Sequence, residues 1–587
     1  MKRLYPYIKP LTGALVFAIL IKGLGAITDI MIPLFMGKVI DEGIAVANVP
    51  QIWRLCGIML LLTAATIGFN LWANYVSSVV TMGMGANIRN ALYAHIQRLK
   101  IKDVDGLTTP SLITRATNDV EHVQRTLLMM SRIVVRAPIM AVGGIALSLF
   151  IDVQLTCVIF VGMVFIAILS YFSYKLTRPI FRKVQRSIDK LTLILRENLA
   201  GVRVIKSFDK VDYEVDRFTR QSAEVKANEL KAGSYNAVIG PTIALVNGVT
   251  VAGLLLASYF RILDAGIEIG QVVTVVNYVN QILMAMANVP RIFMLFSRAN
   301  TSAARIGEVL DMGESTVFGS ETCGLDKKTV LEFQNVSFAY PGANANALEN
   351  VSFRMGIGET VAVIGGTGSG KSTLLNLILR LYEPSSGKIL LEGRPIADYT
   401  AETLHSKVTA ALQQYSIFAK TIGENIVLDR PYDEDRLECS ASSAQIMDLV
   451  EQSEGGFDYR IAQAGSNISG GQKQRVSIAR TLYREADLTV LDDVSSALDY
   501  KTDLRLRRAL RENYRGKAVL IISQRIASVK GADRILVLDR GRMAGLGSHE
   551  ELLTSSAAYR EISATQGVEI PEWVGEAAVQ KGSASKC

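Results

Sequence analysis

The sequence predicts a multidomain membrane protein: a six-helix transmembrane domain followed by an α/β domain. Three observations carry that prediction. Six long apolar stretches fall within residues 1–300. From Leu331 onward, strand-like and helix-like segments alternate, the pattern of an α/β domain. Between the apolar run VAVIG (361–365) and the helical run LLNLILRLY (374–382), residues 365–373 fit G-x-x-x-x-G-K-[ST].

Composition agrees. A length of 587 residues suits two to four domains. Hydrophobic residues make up 49% of the chain, high for a soluble protein. The net charge of +8, from 63 basic against 55 acidic residues, fits nucleic acid or an anionic membrane surface. The concentration of apolar residues in the first half decides for the membrane and against nucleic acid. The cysteines (Cys56, Cys157, Cys323, Cys439, Cys587) are scattered without C-x-x-C spacing, which argues against a disulfide framework or zinc site. The N-terminal apolar run is too long for a signal peptide and lacks a small-residue cleavage pattern.

The six stretches lie near 11–36, 52–81, 133–151, 154–174, 236–261 and 270–296. A bilayer is crossed by about 20 apolar residues in a helix, and only helices or closed barrels satisfy the backbone in lipid. Two long connections, after the second and fourth stretches, are rich in cations. The first carries Arg89, Arg98, Lys100, Lys102, Arg115 and Arg125; the second carries Arg178, Arg182, Lys183, Arg186, Lys190, Arg203 and Lys206. Basic connections stay on the cytoplasmic side. With Lys2, Arg3 and Lys9, this places both termini and both long connections in the cytoplasm. Helical spacing, as in 180–198, extends the spans beyond the bilayer. Gly106, Pro110 and Gly201 interrupt these extensions, so short helices are expected near Leu107–Thr117 and Asp209–Phe218.

The expected division is a transmembrane domain over 1–310, a polar glycine-containing linker over 311–330, an α/β domain over 331–566 and a small, polar, disordered tail over 567–587.

The glycine-rich loop has a direct chemical reading. Gly365, Gly366, Gly368 and Gly370, with Thr367 and Ser369 between them, let successive N–H groups face one phosphate cluster at a helix N-terminus. Lys371 reaches the β and γ phosphates; the hydroxyl of Ser372, beside Thr373, sits on Mg²⁺. Asp492 ends the apolar strand LTVLD, where a magnesium-side carboxylate belongs, and Asp493 follows at the place of a general base. Tyr340, just before Pro341-Gly342, offers a ring that can stack on adenine or simply pack. Ser469, Gly470, Gly471 and Gln472 open a helical run and form a second exposed anion-binding terminus. Two phosphate-binding elements in one chain suggest two chains sandwiching nucleotides.

These motifs resemble those of the ATP-binding cassette exporters that fuse six membrane helices to one nucleotide-binding domain. The resemblance covers nearly the whole chain. It rests on the phosphate loop, LTVLDD (488–493), ISGGQKQR (468–475) as the signature, SSALD (495–499) with Asp499 as the D-loop, and Gln413 as the Q-loop. LITRATNDVEHV (112–123) and ENLAGVRVIKSF (197–208) look like the family's two cytoplasmic-loop sequences. The resemblance implies ATP and Mg²⁺ as cofactors, with Ser372, Gln413 and Asp492 on the metal side and Tyr340 against adenine. It also implies a homologous half-transporter as partner.

Departures sharpen the expectation. Asp493 stands where the family usually has Glu, and Gln524, in IISQR, stands at the switch-histidine position. A shortened carboxylate reaches less far toward an attacking water, and glutamine cannot titrate near neutral pH. Ile468 replaces the usual Leu before an intact SGGQ. The pattern resembles the degenerate-site subunit of heterodimeric bacterial multidrug exporters, in the cytoplasmic membrane. The implied activity is ATP-driven export of a small, lipophilic or drug-like substrate. Slow hydrolysis in a homodimer and a non-transporting regulatory ATPase are the alternatives. In the membrane half, Asn277, Gln281, Met284 and Asn288 fall at i, i+4, i+7 and i+11, a stripe that suits either a substrate path or interhelical hydrogen bonding. Lys22 and Asp29 lie seven apart on one face of the first span, as an internal pair, a snorkelling pair or a functional pair.

Overall fold

The computed structural model describes residues 4–568 except 265, 288, 314–317, 327, 429 and 495–497; at 170, 174, 286–287, 289–294 and 500 it describes the backbone alone. Asn288, the SSA of SSALD, and most of the expected tail, with Cys587, therefore lie outside the described residues. The chain divides into two compact units, the first ending at Met312 and the second starting at Gly313; residues Leu99–Gly106 group with the second.

The first unit is helical. Among the described residues, five helices are long and apolar enough to cross a membrane: Tyr5–Ile44, Val49–Arg98, Thr109–Ile151, Val153–Ala200 and Val211–Leu263. A sixth apolar helix, Ile269–Ala287, is shorter. At 1.5 Å per residue, helices of 40 to 53 residues far exceed the hydrocarbon thickness of about 30 Å, as spans that continue beyond the bilayer require. The first span packs along the second, and the fourth along the fifth. An apolar core gathers Ile30 of the first span, Met140 of the third, Leu155 and Ile159 of the fourth, Leu254 of the fifth, and Tyr278 and Ile282 of the sixth helix. Asp152 starts the fourth span by accepting from the Leu155 N–H at 2.9 Å, and binds Arg261 at the end of the fifth at 2.7 Å.

The short helix Thr109–Thr114 lies within the first expected range and follows another at Ile101–Leu107; the second short helix stands earlier than expected, at Val202–Ser207, and the residues from Val211 onward begin the long helix Val211–Leu263. Pro110 does not end a helix; it lies in the first turn of Thr109–Thr114, where its missing N–H costs nothing. Thr108 and Asp209, with φ of 63° and 51°, make the breaks.

The second unit holds two sheets. The strands are β1 (Thr329–Phe338), β2 (Leu348–Gly356), β3 (Thr360–Ile364), β4 (Ser386–Leu391), β5 (Arg394–Pro395), β6 (Val408–Ala411), β7 (Leu488–Asp492), β8 (Ala518–Ser523), β9 (Arg534–Asp539) and β10 (Arg542–Gly547). An antiparallel sheet runs β2-β1-β4-β5, and a six-stranded sheet runs β10-β9-β3-β8-β7-β6. In the latter, β6, β7, β8, β3 and β9 are parallel, with β10 antiparallel at the edge. β3 and β7 are almost wholly buried, which explains their unbroken apolar runs. The register aligns Ile364 with Ser523, Asp492 with Ile522, and Ala411 with Leu491. The carboxyl ends of β3, β6, β7 and β8 thus share one edge, where open parallel sheets bind ligands. A second core, including Ile426, Leu437, Val476 and Leu482, supports the helices between β6 and β7.

Candidate nucleotide site

β3 ends at Ile364, the glycine loop follows, and the helix Lys371–Ile378 begins. Gly370 has φ 100°, and a Cβ there would lie 2.6 Å from Leu348 Cδ2 and 2.7 Å from Ala347 O. Backbone angle and space both demand glycine. Gly366, Thr367 and Gly368 are exposed, so the loop's outer surface is open. Lys371 is folded back: its ammonium donates to Gly365 O at 2.8 Å, Gly366 O at 2.6 Å and Ser369 Oγ at 3.3 Å. Burial lowers its pKa, against the pull of Asp493 and Asp492. Ser372 is exposed and Thr373 buried.

Asp492 ends β7 and is 5% exposed. Burial, then the neighbouring Asp493 charge, pushes its carboxyl up to about 6, against the Gln413 backbone N–H and Lys371. Burial also raises Asp493, opposed by Arg525 and Lys371. Two adjacent carboxylates with this tendency to hold protons suit a divalent cation. One or two carboxylates, a hydroxyl and phosphate oxygens are the usual set for Mg²⁺. Gln413 lies just past β6, exposed, with its backbone on Asp492.

The Asp493 backbone is tethered on both sides. Its N–H donates to Ile522 O on β8 at 2.8 Å, and its carbonyl accepts from Gln474 Nε2 at 3.2 Å. Its φ is 47°, the left-handed region that Asp tolerates better than most residues. Gln524 follows β8 with its side chain exposed, and its backbone carbonyl accepts from Gln566 at 2.6 Å.

Tyr340 is fixed against the phosphate-loop helix. Its hydroxyl lies 3.2 Å from Thr373 Oγ1 and accepts from Asn376 Nδ2 at 3.3 Å. Its ring meets Phe338 and Tyr382 edge-on, with centroids 4.9 and 5.3 Å away. The Tyr382 hydroxyl donates to Asp105 at 2.6 Å.

Ser469 and Gln472 form a capping box at the start of Gly470–Tyr483, with bonds of 3.3 and 2.7 Å. Ser469 and Gly470 are exposed and Gly471 partly so. Arg480, on the same helix, donates to Asn425 O at 2.8 Å and Ser416 O at 2.9 Å, which binds the segment after Gln413 to the signature helix. Burial pushes Arg480 down to about 10. Asp499 caps the helix Tyr500–Asn513, accepting from Thr502 N at 3.0 Å.

Sequence reasoning missed Gln474, Arg480 and Arg525. Gln474 had a signal: it precedes Ile478 and Leu482 by four and eight residues, on the helix's buried stripe.

In the first unit, Asn277 donates to its own helix at Val273 O, 2.9 Å away; Gln281 is partly buried and Met284 is 68% exposed. Lys22 and Asp29 do not pair with each other. Lys22 donates to Asn70 and Asn74 of the second span at 2.7 and 3.3 Å, and Asp29 accepts from Arg136 of the third at 2.5 Å.

Residues 15–286 match the ABC transporter transmembrane region and 348–496 the ABC transporter family. The chain is 33% identical over 568 residues to the Uncharacterized ABC transporter ATP-binding protein YfiB of Bacillus subtilis (strain 168), covering 96% of this chain and 98% of that one. The chain belongs to the ABC exporters. It is a half-transporter with fused membrane and ATP-binding domains: a multi-pass membrane protein and an ATPase-coupled transporter, of a kind that works as a dimer in a lipid membrane. It is 29% identical over 574 residues to the ATP-dependent lipid A-core flippase of Haemophilus ducreyi (strain 35000HP / ATCC 700724), covering 96% and 97% of the two chains. The fold is that of a bacterial Atm1-family ABC exporter solved with ATP bound, with a TM-score of 0.79 at 23% identity over 96% of this chain and 99% of that one.

Proposed function

We propose that this exporter is one half of a heterodimer in the cytoplasmic membrane, with six spans, and that its own phosphate loop forms the degenerate site. In this reading Gly365–Thr373 hold ATP, Tyr340 meets adenine, and Ser372, Gln413 and Asp492 hold Mg²⁺. Asp493 and Gln524 occupy the general-base and switch positions with weakened chemistry. Ser469–Gln472 and Asp499 face the partner's nucleotide, where most hydrolysis occurs. The termini and the ATP-binding unit are cytoplasmic.

The observation that carries the reading is the tethered backbone of Asp493. Glu is one methylene, about 1–1.5 Å, longer than Asp. A mobile main chain could make up that reach, but bonds to Ile522 and Gln474 hold it in place. The supporting contrast is an intact, exposed signature at Ser469–Gln472.

The cargo is a small lipophilic molecule, with Asn277, Gln281, Met284 and Asn288 along its path. The exposed Met284 supports this, as do the lipid A-core flippases among the relatives.

The test is ATP hydrolysis and vesicle transport by the chain alone and with a co-expressed homologous half. Hydrolysis and transport should appear only with the partner. Full-rate hydrolysis and transport by the chain alone would sink the heterodimer.

A further inference from the structure

Three cations converge where the first three spans pack together. Lys22, inside the first apolar stretch, is 7% exposed, yet no carboxylate meets it; Asn70 and Asn74 accept two of its three N–H bonds. Arg132, at the edge of the third stretch, spends one N–H on Ser78 Oγ at 3.2 Å, while its Nε is buried without a partner. Arg136 pairs with Asp29, but its side chain remains 49% exposed. Both arginines are near enough for their charges to act on Lys22. Asp29 is the one carboxylate paired within the cluster among the described residues, so two positive charges remain uncompensated.

Uncompensated charge in a membrane segment is expensive, and it marks a functional site when polar neighbours hold it in place. A structural knot of helices would close its donors on each other; this one leaves an ammonium N–H and an arginine Nε–H unspent. Both are donors suited to phosphate or carboxylate oxygens. We propose that Lys22, Arg132 and Arg136 bind the anionic headgroup of a membrane amphiphile, its chains lying along the apolar faces of the spans. This rests on the exporter reading, and names the substrate class of that cargo as anionic and amphiphilic rather than neutral or cationic.

The test uses the full chain in detergent micelles and two probes with identical acyl chains: fluorescent phosphatidic acid and phosphatidylcholine. Phosphatidic acid should bind at least about tenfold tighter. Arg132→Gln and Lys22→Gln should each bring the two probes within about threefold of each other, and Arg132→Lys should restore the preference. Arg220→Gln, at an exposed cation elsewhere, should leave it intact. Equal binding of the two probes overturns the site. So does a preference unchanged in both glutamine variants, which would place the anion in the annular lipid. Transport into vesicles that hold the chain together with its co-expressed homologous half, shown first to hydrolyse ATP, separates the two readings: ATP-driven movement of phosphatidic acid, lost in Arg132→Gln, supports the cargo role. Selective binding without movement keeps the site and overturns that role.

Discussion

The side-chain amide of Gln474 donates to the backbone carbonyl of Asp493 at 3.2 Å, joining the signature helix to the end of β7. The same residue's N–H is held by Ile522 O of β8. Asp493, proposed above to stand at the general-base position, is thus fixed between β8 and the helix Gly470–Tyr483. The other side-chain atom, Gln474 Oε1, is buried without a partner, so the link is kept despite an unpaired acceptor that costs about 1–3 kcal/mol. That cost is bearable if the position of Asp493 matters more than local stability.

Replacing Asp493 by Glu should raise turnover. The tethered backbone keeps the Cβ in place, so the added methylene moves the carboxylate outward. General-base catalysis contributes about 10²–10⁴-fold, and a rise of at least about tenfold in phosphate release is expected. The left-handed φ of 47° suits Glu less well than Asp, so stability should fall slightly. Phosphate release by the assembled exporter, with the partner's site disabled, checks this. An unchanged rate would show that reach is not what limits the site.

Asp492 makes the nucleotide-free protein sensitive to pH. Its carboxyl rises from 3.8 to about 6, chiefly through burial and then through Asp493. The folded chain therefore binds this proton more tightly than the unfolded chain. Stability is greatest below the unfolded value and falls as pH rises through about 4 to 6, by about 3 kcal/mol. Asp492→Asn should melt higher than the wild type at pH 7.5 in chelator, and show little advantage at pH 4. Equal advantages at both pH values would remove the carboxylate as the cause. With ATP and Mg²⁺ the order should reverse, because the variant lacks the carboxylate proposed to hold the cation.

Much of this was legible in sequence because the signals are local. Span length needs only apolar run length, and the phosphate loop needs only its strand, glycines and helix. Asp492 follows from its place at a strand end. What escaped is long-range. Lys22 and Asp29 share a helix face, but their partners Asn70, Asn74 and Arg136 stand on other spans, beyond any periodicity. Pro110 has the pattern of a breaker, yet it opens the helix Thr109–Thr114, because the missing N–H of a proline is harmless in a first turn. Gln474 looked like one polar residue among several in QKQR; only packing shows that it reaches Asp493.

Arg480 should prove structural as well as connective. It satisfies the carbonyls of Asn425 and Ser416 and lies 5.4 Å from the Phe418 ring centre. Charged hydrogen bonds contribute about 1.5–3 kcal/mol each, so Arg480→Ala should destabilise the ATP-binding unit by at least about 2 kcal/mol. Arg480→Lys should recover only part, since an ammonium cannot reproduce the fork. Calorimetry of the full chain checks both, and an alanine variant as stable as wild type would show that the segment after Gln413 is held by other contacts.

Lys371 holds its own loop when no nucleotide is present. Its ammonium, 8% exposed at the residue level, spends its donors on Gly365, Gly366 and Ser369. Phosphate binding must trade these neutral acceptors for charged ones, and that exchange favours ATP because charge-assisted bonds are roughly twice as strong. Lys371→Met keeps the stem's volume but removes the ammonium. The wild type at ATP concentrations about 100-fold above its Kd should gain about 2.7 kcal/mol in stability, and the variant almost none. Without nucleotide the variant should also lose about 1–2 kcal/mol, since the carbonyls of Gly365 and Gly366 lose their shared donor. A variant that melts like wild type without ATP, but fails to respond to it, would confine the lysine to nucleotide binding and remove its role in shaping the empty loop.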